Sequence, residues 1–456
     1  MVLSFENEIL SHVDLTMMMM MMMMMMVLLS SVGGVEKEVR SRRVRSCFVE
    51  PEVRENAWWP VRTSDCDVVR PRVNEMWRDM WNGEISSDNV LKEFINMTEM
   101  YKCADAPFSA GTLSLMGGRP DVSSRFHVES VKRSRGMQRE ILPIARYQSM
   151  NRTVIQGLEL RVASRAKIRH DAEQIRYLIS ENLISSSYER AARTLDNIYS
   201  ALPENWIGYL PKERYSKIGS FFNRLLYYDP PKRLPIGEPM FGYVDLRRAR
   251  EEYRINQVTV IDNLLSPRAL RVMRKWLMES TFWFDSNPQG YVGAYFEQGF
   301  TSPFLLQMIQ ELKNTFQEIL GHHKINEVWA YKYDSQGKGI KVHADTAAVN
   351  LNFWVTPDDA NLNKENGGLV IYSREAPMEW NFQDFNSERG LPRMMEFLKD
   401  SDLVRVPYRQ NRLVIFNSNL FHYSDKFEFK SGYGNRRINL TFLFGKRGEG
   451  KLVVKE

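Results

Sequence analysis

Residues 328–355 read VWAYKYDSQGKGIKVHADTAAVNLNFWV. Runs rich in β-branched and aromatic residues (Val328–Tyr333, Ile340–His343, Val349–Val355) are cut by a glycine turn at Gly337–Gly339 and by a polar joint at Asp345. Such alternation of short apolar runs with turn residues is a strand signal. It continues outward on both sides. Upstream, Val258–Ile261 reads as a strand; downstream, so do Leu369–Tyr372, Leu403–Val406, Leu413–Phe416, Leu420–His422 and Ile438–Phe444. Ser266-Pro267 is a cap followed by the residue favoured in a first helical turn, which predicts a helix to about Glu279, and a second helix is expected over Pro303–Leu320. Residues 251–456 therefore predict a mainly β fold with helical decoration, a sandwich or barrel.

The rest of the chain reads differently. Ile168, Ala172, Ile175, Leu178 and Leu183 recur at helical steps, and after Ser185-Ser186-Ser187 so do Tyr188, Ala192, Leu195, Ile198 and Leu202. Residues 166–250 are thus a helical hairpin and linker. Residues 36–165 show no sustained period and are expected to be a poorly defined, partly flexible basic region. Between Arg119 and Asp171 there are twelve Lys or Arg against five Asp or Glu, in a chain whose net charge is only +6. With no aromatic stacking platform alongside it, this stretch reads as a solvated face, and nucleic acid is not the expected partner. Residues 17–26 are ten consecutive methionines inside a low-complexity segment, 1–35. That segment has the length of a membrane anchor over residues 15–35, but its basic residues follow the run, so an intracellular location is favoured with the anchor as the alternative. At 43% apolar and 12% aromatic residues the chain can bury a sizeable core. Three cysteines (Cys47, Cys66, Cys103) without a Cys-x-x-Cys pair argue against both a disulfide framework and a zinc site.

Chemistry concentrates in the β region. His343-Ala344-Asp345, read as strand, puts an imidazole and a carboxylate on one face, two adjacent corners of a metal's coordination sphere. His422 follows a hydrophobic strand and a short polar turn, which suits either a cavity-facing imidazole or a core histidine. In Arg436-Arg437-Ile438-Asn439-Leu440-Thr441 the apolar residues alternate with Arg437, Asn439 and Thr441. If the apolar members pack against helices, Arg437 is driven inward and needs an anion; on an edge strand it would lie in solvent. Tyr333 could share that anion. His322-His323 read as exposed loop residues. Two histidines and one carboxylate leave open positions on iron, the pattern of non-haem Fe(II) oxygenases.

With that order in place (His-x-Asp, an interval, His, then Arg), residues 257–446 resemble the 2-oxoglutarate- and Fe(II)-dependent oxygenase superfamily, in its prolyl-4-hydroxylase-like branch. The supporting segments are His343-Ala344-Asp345, Gly367-Gly368-Leu369-Val370-Ile371-Tyr372, Pro407 to Phe416, His422, and Arg437-Ile438-Asn439-Leu440-Thr441. His170-Asp171-Ala172-Glu173-Gln174 is similar to the helical segment that uncharacterised bacterial and algal members often carry ahead of this domain. The resemblance implies a double-stranded β-helix (jelly roll) preceded by an α-helical segment. It also implies Fe(II) held by His343, Asp345 and His422, and 2-oxoglutarate held by Arg437, Asn439 and Tyr333, with Arg436 as the rival arginine. Asn439 stands where the family often has serine. The implied reaction uses O2 and hydroxylates a C–H bond of a protein side chain or small molecule, releasing succinate and CO2, with ascorbate as reductant. A peptidyl-prolyl 4-hydroxylase, or a non-catalytic scaffold, are the alternatives.

Overall fold

The computed structural model describes residues 65–135, 161–287 and 289–451. The methionine-rich segment and residues 136–160 of the basic stretch fall outside these residues. Among the described residues no helix is long and apolar enough to cross a membrane.

Four helices come first: α1 (Cys66–Trp81), α2 (Ser87–Met100), α3 (Asp105–Met116) and α4 (Pro120–Arg135). They share a core of Cys66, Val69, Val73, Phe94, Met97, Cys103, Ala106 and Leu113. This corrects the expectation of a poorly defined region over these residues, and the reason is physical. Helix α3 buries Asp105, Ala106, Ser109, Ala110, Gly111, Leu113 and Ser114, nearly all round, so its sequence carries no two-faced pattern. Close packing also needs Gly111, where a Cβ would come within 2.7 Å of the His127 ring of α4. The cysteine reading is corrected too: Cys66 and Cys103 form a disulfide across 37 residues. Three cysteines exclude a framework of bridges, but they leave room for one. Helix α4 docks this unit on the rest of the protein, with Val131 entering the main core and Thr301 Oγ1 donating to Ser124 Oγ at 2.7 Å.

The hairpin follows as α5 (Arg165–Ser180) and α6 (Glu189–Ser200), with Ser164 capping α5 by accepting from Lys167 N at 3.0 Å. Helices α7 (Leu246–Asn256), α8 (Pro267–Glu279) and α9 (Pro303–Thr315) accompany the β region. Ser266 caps α8 as its sequence predicts, and Ser302 caps α9 in the same way, with proline in the first turn of each.

Ten strands build the two larger sheets, in chain order: β1 (Val258–Ile261), β2 (Asp285–Ser286), β3 (Tyr291–Tyr295), β4 (Ile325–Tyr333), β5 (Val349–Trp354), β6 (Leu369–Glu375), β7 (Leu403–Val406), β8 (Leu413–Asn417), β9 (Leu420–Ser424) and β10 (Ile438–Phe444). A seven-stranded antiparallel sheet has the order β1-β8-β5-β10-β4-β3-β2, and a three-stranded one has the order β7-β6-β9. Period-two alternation divides the large sheet's faces. Leu351, Phe353, Ile415, Leu440 and Phe442 pack with Met273, Trp276 and Phe304 of the helices. The opposite face sends Tyr333, Trp354, Val414 and Phe416 toward Leu369, Ile371, Val406 and Leu420 of the small sheet. The candidate site lies in this interior. One expected strand, Ile340–His343, is absent. Gln336–Gly337 pairs briefly with Phe427–Glu428, and the chain then runs irregularly until His343 makes a single antiparallel bridge with His422.

Candidate metal centre

That bridge creates the site. His343 N donates to His422 O at 3.0 Å, and His422 N to His343 O at 2.8 Å, so the two residues are a directly opposed pair with rings 4.3 Å apart. Asp345 N then donates to Ser418 O at 3.1 Å, tying the next turn of chain to the β8–β9 hairpin. The carboxylate is thus brought in by a loop anchored to that hairpin, and strand alternation is not the cause. His343 Nε2 lies 3.7 Å from Asp345 Oδ1, His422 Nε2 lies 3.4 Å from Asp345 Oδ2, and the three ligand atoms all fall within 4.8 Å of one another.

The hydrogen bonds around these groups fix their chemistry. His343 Nδ1 faces Lys341 O at 2.7 Å and His422 Nδ1 faces Leu420 O at 3.0 Å. A carbonyl accepts only, so each Nδ1 carries the proton and each Nε2 presents a lone pair to the centre. Burial first, then the neighbouring His422 imidazole, lowers the His343 pKa to about 4, so that ring is neutral at pH 7. Burial alone would raise Asp345. The close approach of the His422 and His343 imidazoles and the hydrogen bond from the Asn350 amide outweigh it and hold the carboxyl below its ordinary range. Asn350 Nδ2 donates to Asp345 Oδ2 at 2.6 Å, and Asn386 Nδ2 approaches Oδ1 at 3.4 Å. Two imidazole nitrogens and one oriented carboxylate are a donor set for a divalent transition metal.

Further along the same interior lie Arg437, 1% exposed, and Tyr333, also 1% exposed. Arg437 Nε donates to Gly367 O at 2.7 Å, and its guanidinium is walled by the rings of Tyr333, Trp354, Tyr408 and Phe427 at 4.9–6.0 Å. Arg437 Nη1 and Tyr333 Oη have no hydrogen-bond partner. Two neighbouring buried donors without an acceptor are the mark of an anion site. Asn439 is one step along the same face; its Nδ2 donates to Thr441 Oγ1 at 3.1 Å and its Oδ1 is unpartnered. Arg436 is on the opposite side of the chain, 2.8 Å from Glu173, which leaves Arg437 as the interior arginine.

Three groups escaped the sequence reading. Asn350 and Asn352 alternate with Leu351 on a strand buried on both faces, and that polar alternation was a signal. Glu327 shares the interior face of β4 with Trp329, Tyr331 and Tyr333. Burial, then the charge of Asp345, pushes its carboxyl up to about 7. A glutamate in a strand reads as solvent-facing, so nothing local betrays it. His323 is 3% exposed, a correction to the exposed-loop reading: the chain at Gly445 closes over it, with no room there for a Cβ. A cavity of about 390 Å³, lined by Lys338, Asn363, Asn366, Lys426 and Phe427, includes none of the three convergent ligands.

No protein-family model matches the chain, and no curated protein matches it. Among solved structures it is similar to the non-heme α-ketoglutarate-dependent carbocyclase SnoK from nogalamycin biosynthesis, at 12% identity and TM-score 0.34, over 48% of this chain and 98% of that one. It is also similar to HygX from Streptomyces hygroscopicus with nickel, 2-oxoglutarate and hygromycin B bound, at 10% and 0.33 over 44% and 87%. A Pseudomonas putida prolyl-4-hydroxylase is matched at 14% and 0.30, over 46% and 100%. Likenesses at these scores do not fix a function; the chemistry of the residues must carry it.

Proposed function

We propose that residues 257–446 form a double-stranded β-helix oxygenase that uses Fe(II) and 2-oxoglutarate to hydroxylate a C–H bond of a protein side chain or small molecule. The observation that supports this most is one interior holding both a two-histidine, one-carboxylate donor set and an arginine–tyrosine pair of unpartnered buried donors. One strand links the two ends. Asn350 touches Asp345, and Trp354 lies beside Arg437. These residues are four apart on β5, about 13 Å along a strand.

In this reading His343, Asp345 and His422 hold the metal. Arg437 and Tyr333 receive the distal carboxylate of 2-oxoglutarate, with Asn439 beside them. Bound iron would supply the centre at which O2 is activated while 2-oxoglutarate is converted to succinate and CO2. The chain's own work is to orient and to keep dry. Asn350 and Asn386 fix the Asp345 rotamer, the backbone carbonyls of Lys341 and Leu420 fix both imidazoles, and the rings of Tyr333, Trp354, Tyr408 and Phe427 exclude water from the carboxylate end. The test is succinate release by the purified protein with Fe(II), 2-oxoglutarate and ascorbate, beside His343→Ala and Arg437→Ala. Turnover that both variants abolish supports the reading. Absence of turnover together with absence of metal and 2-oxoglutarate binding overturns it in favour of a scaffold.

A further inference from the structure

Helix α5 lies outside the sheets, yet it grips the two residues next to Tyr333 and Arg437. Glu173 Oε2 pairs with Arg436 Nε at 2.8 Å, and Glu173 Oε1 with Arg169 Nε at 3.0 Å. Arg169 Nη1 pairs with Asp334 Oδ2 at 3.3 Å, and Arg436 Nη2 lies 3.8 Å from Asp334 Oδ1. The four charges close a ring of alternating sign. Two members, Arg169 and Glu173, belong to α5; Asp334 directly follows Tyr333, and Arg436 directly precedes Arg437.

The backbone joins these pairs. Arg436 Nη1 donates to Tyr333 O at 3.3 Å, and Tyr333 N donates to Arg437 O at 2.9 Å. Neighbouring residues of extended chain point to opposite sides. The ring therefore holds the ends of β4 and β10 from outside while Tyr333 and Arg437 project inside. Arg436 is 3% exposed, so its charge depends on this partner. The helix is itself firmly seated. Gln174 Nε2 donates to Ser280 O at 2.9 Å and to Met278 O at 3.2 Å. The His170 ring packs on Tyr433 at 5.6 Å and Trp283 at 6.1 Å.

We propose that α5 is a working part of the co-substrate site, with Glu173 and Arg169 as positioning residues that set the placement of Arg437 and Tyr333 through Arg436 and Asp334. The proposal rests on the co-substrate reading above and adds to it that the helical hairpin is required for 2-oxoglutarate affinity.

The experiment uses the full chain, loaded anaerobically with Fe(II) and titrated with 2-oxoglutarate by calorimetry, with Fe(II) affinity measured separately. Glu173→Gln keeps volume and removes charge, and Asp334→Asn does so on the other strand. Each is expected to weaken 2-oxoglutarate binding about tenfold, the scale typical of residues that orient a ligand-binding group, and to leave Fe(II) affinity within about twofold. Ile175→Ala removes a buried contact of the same helix outside the ring. It is expected to lower the melting temperature and leave 2-oxoglutarate affinity unchanged. Wild-type affinity in Glu173→Gln and Asp334→Asn, while Arg437→Ala loses binding, overturns the clamp alone. Equal weakening by Ile175→Ala also overturns it, since the effect is then one of general stability. If Arg437→Ala binds 2-oxoglutarate as the wild type does, the co-substrate reading falls and the clamp with it.

Discussion

Arg437→Met should leave the stability of the ligand-free protein within about 2 kcal/mol of the wild type, and should remove its response to 2-oxoglutarate. The guanidinium is 1% exposed, and burial pushes its pKa down, with the Tyr333 and Tyr408 hydroxyls only partly reversing this. Taking such an ion out of water costs several kcal/mol. Against that stand one charge-assisted hydrogen bond, to Gly367 O, worth about 1.5–3 kcal/mol, and the surrounding rings, worth about 0.5–2 kcal/mol. Nη1 gains nothing until an anion arrives. Methionine keeps the length of the side chain and leaves Gly367 O unpaired, at a cost of about 1–2 kcal/mol. The balance lies near zero, within about 2 kcal/mol either way. With Fe(II) and 2-oxoglutarate at a hundred times Kd, the wild type gains about 2.7 kcal/mol and the variant nothing. Thermal unfolding should therefore show similar curves for the two proteins without 2-oxoglutarate and a shift of the wild type alone when it is added. A variant that loses more than about 2 kcal/mol without ligand, or keeps the ligand shift, would refute the view of Arg437 as a charge held in wait for a carboxylate.

Other consequences can be checked independently. Asn350→Ala removes the 2.6 Å bond that orients Asp345 and is expected to weaken Fe(II) binding by about 10- to 100-fold in a calorimetric titration; unchanged affinity would show that Asn386 and the loop suffice. His127 is buried against Phe108 and Phe296, and desolvation lowers its pKa to about 3. Its neutral form is the one the fold accepts, so its contribution is intact above the unfolded pKa of about 6.5 and is lost as pH falls toward 3, by about 2 kcal/mol at pH 5. The fall in melting temperature from pH 7 to pH 5 should accordingly be smaller in His127→Phe, and an equal fall in both proteins would remove His127 as its source. Reducing the Cys66–Cys103 bridge frees a loop of 37 residues, worth about 4 kcal/mol in the chain-entropy account, so a reductant should lower the melting of the four-helix unit and do nothing to a Cys66→Ser/Cys103→Ser protein.

What the sequence revealed, and what it hid, follows from which forces have a period. Alternation across Arg437-Ile438-Asn439-Leu440-Thr441 told which residues share a face, and the helices packed on Ile438, Leu440 and Phe442 turned Arg437 inward as that pattern requires. The cap at Ser266 was legible because capping chemistry is local. Asp345 was found for a reason the structure does not share: it arrives on a loop pinned to Ser418, and the spacing His-x-Asp survives although the strand expected to carry it does not form. Helix α3 was silent because an element buried on nearly every side has no polar stripe to contrast with an apolar one.

The deepest omission is of another kind. Pattern along a strand says which way a side chain points relative to its neighbours, and nothing of what receives it. Arg436 and Arg437 are chemically identical and adjacent, so alternation could only say that they diverge. One enters a cage of aromatic rings with a donor left open, and the other meets Glu173 on a helix 263 positions earlier in the chain. That separation puts the partner of Arg436 beyond any local reading, and it also puts a charged helix in control of the residue beside it. A helix that merely covered the sheet would meet it with apolar side chains; α5 also brings Arg169 and Glu173 to the place where β4 and β10 end, and burying the Arg436 charge there is a cost the fold has reason to bear if the position of Arg437 depends on it.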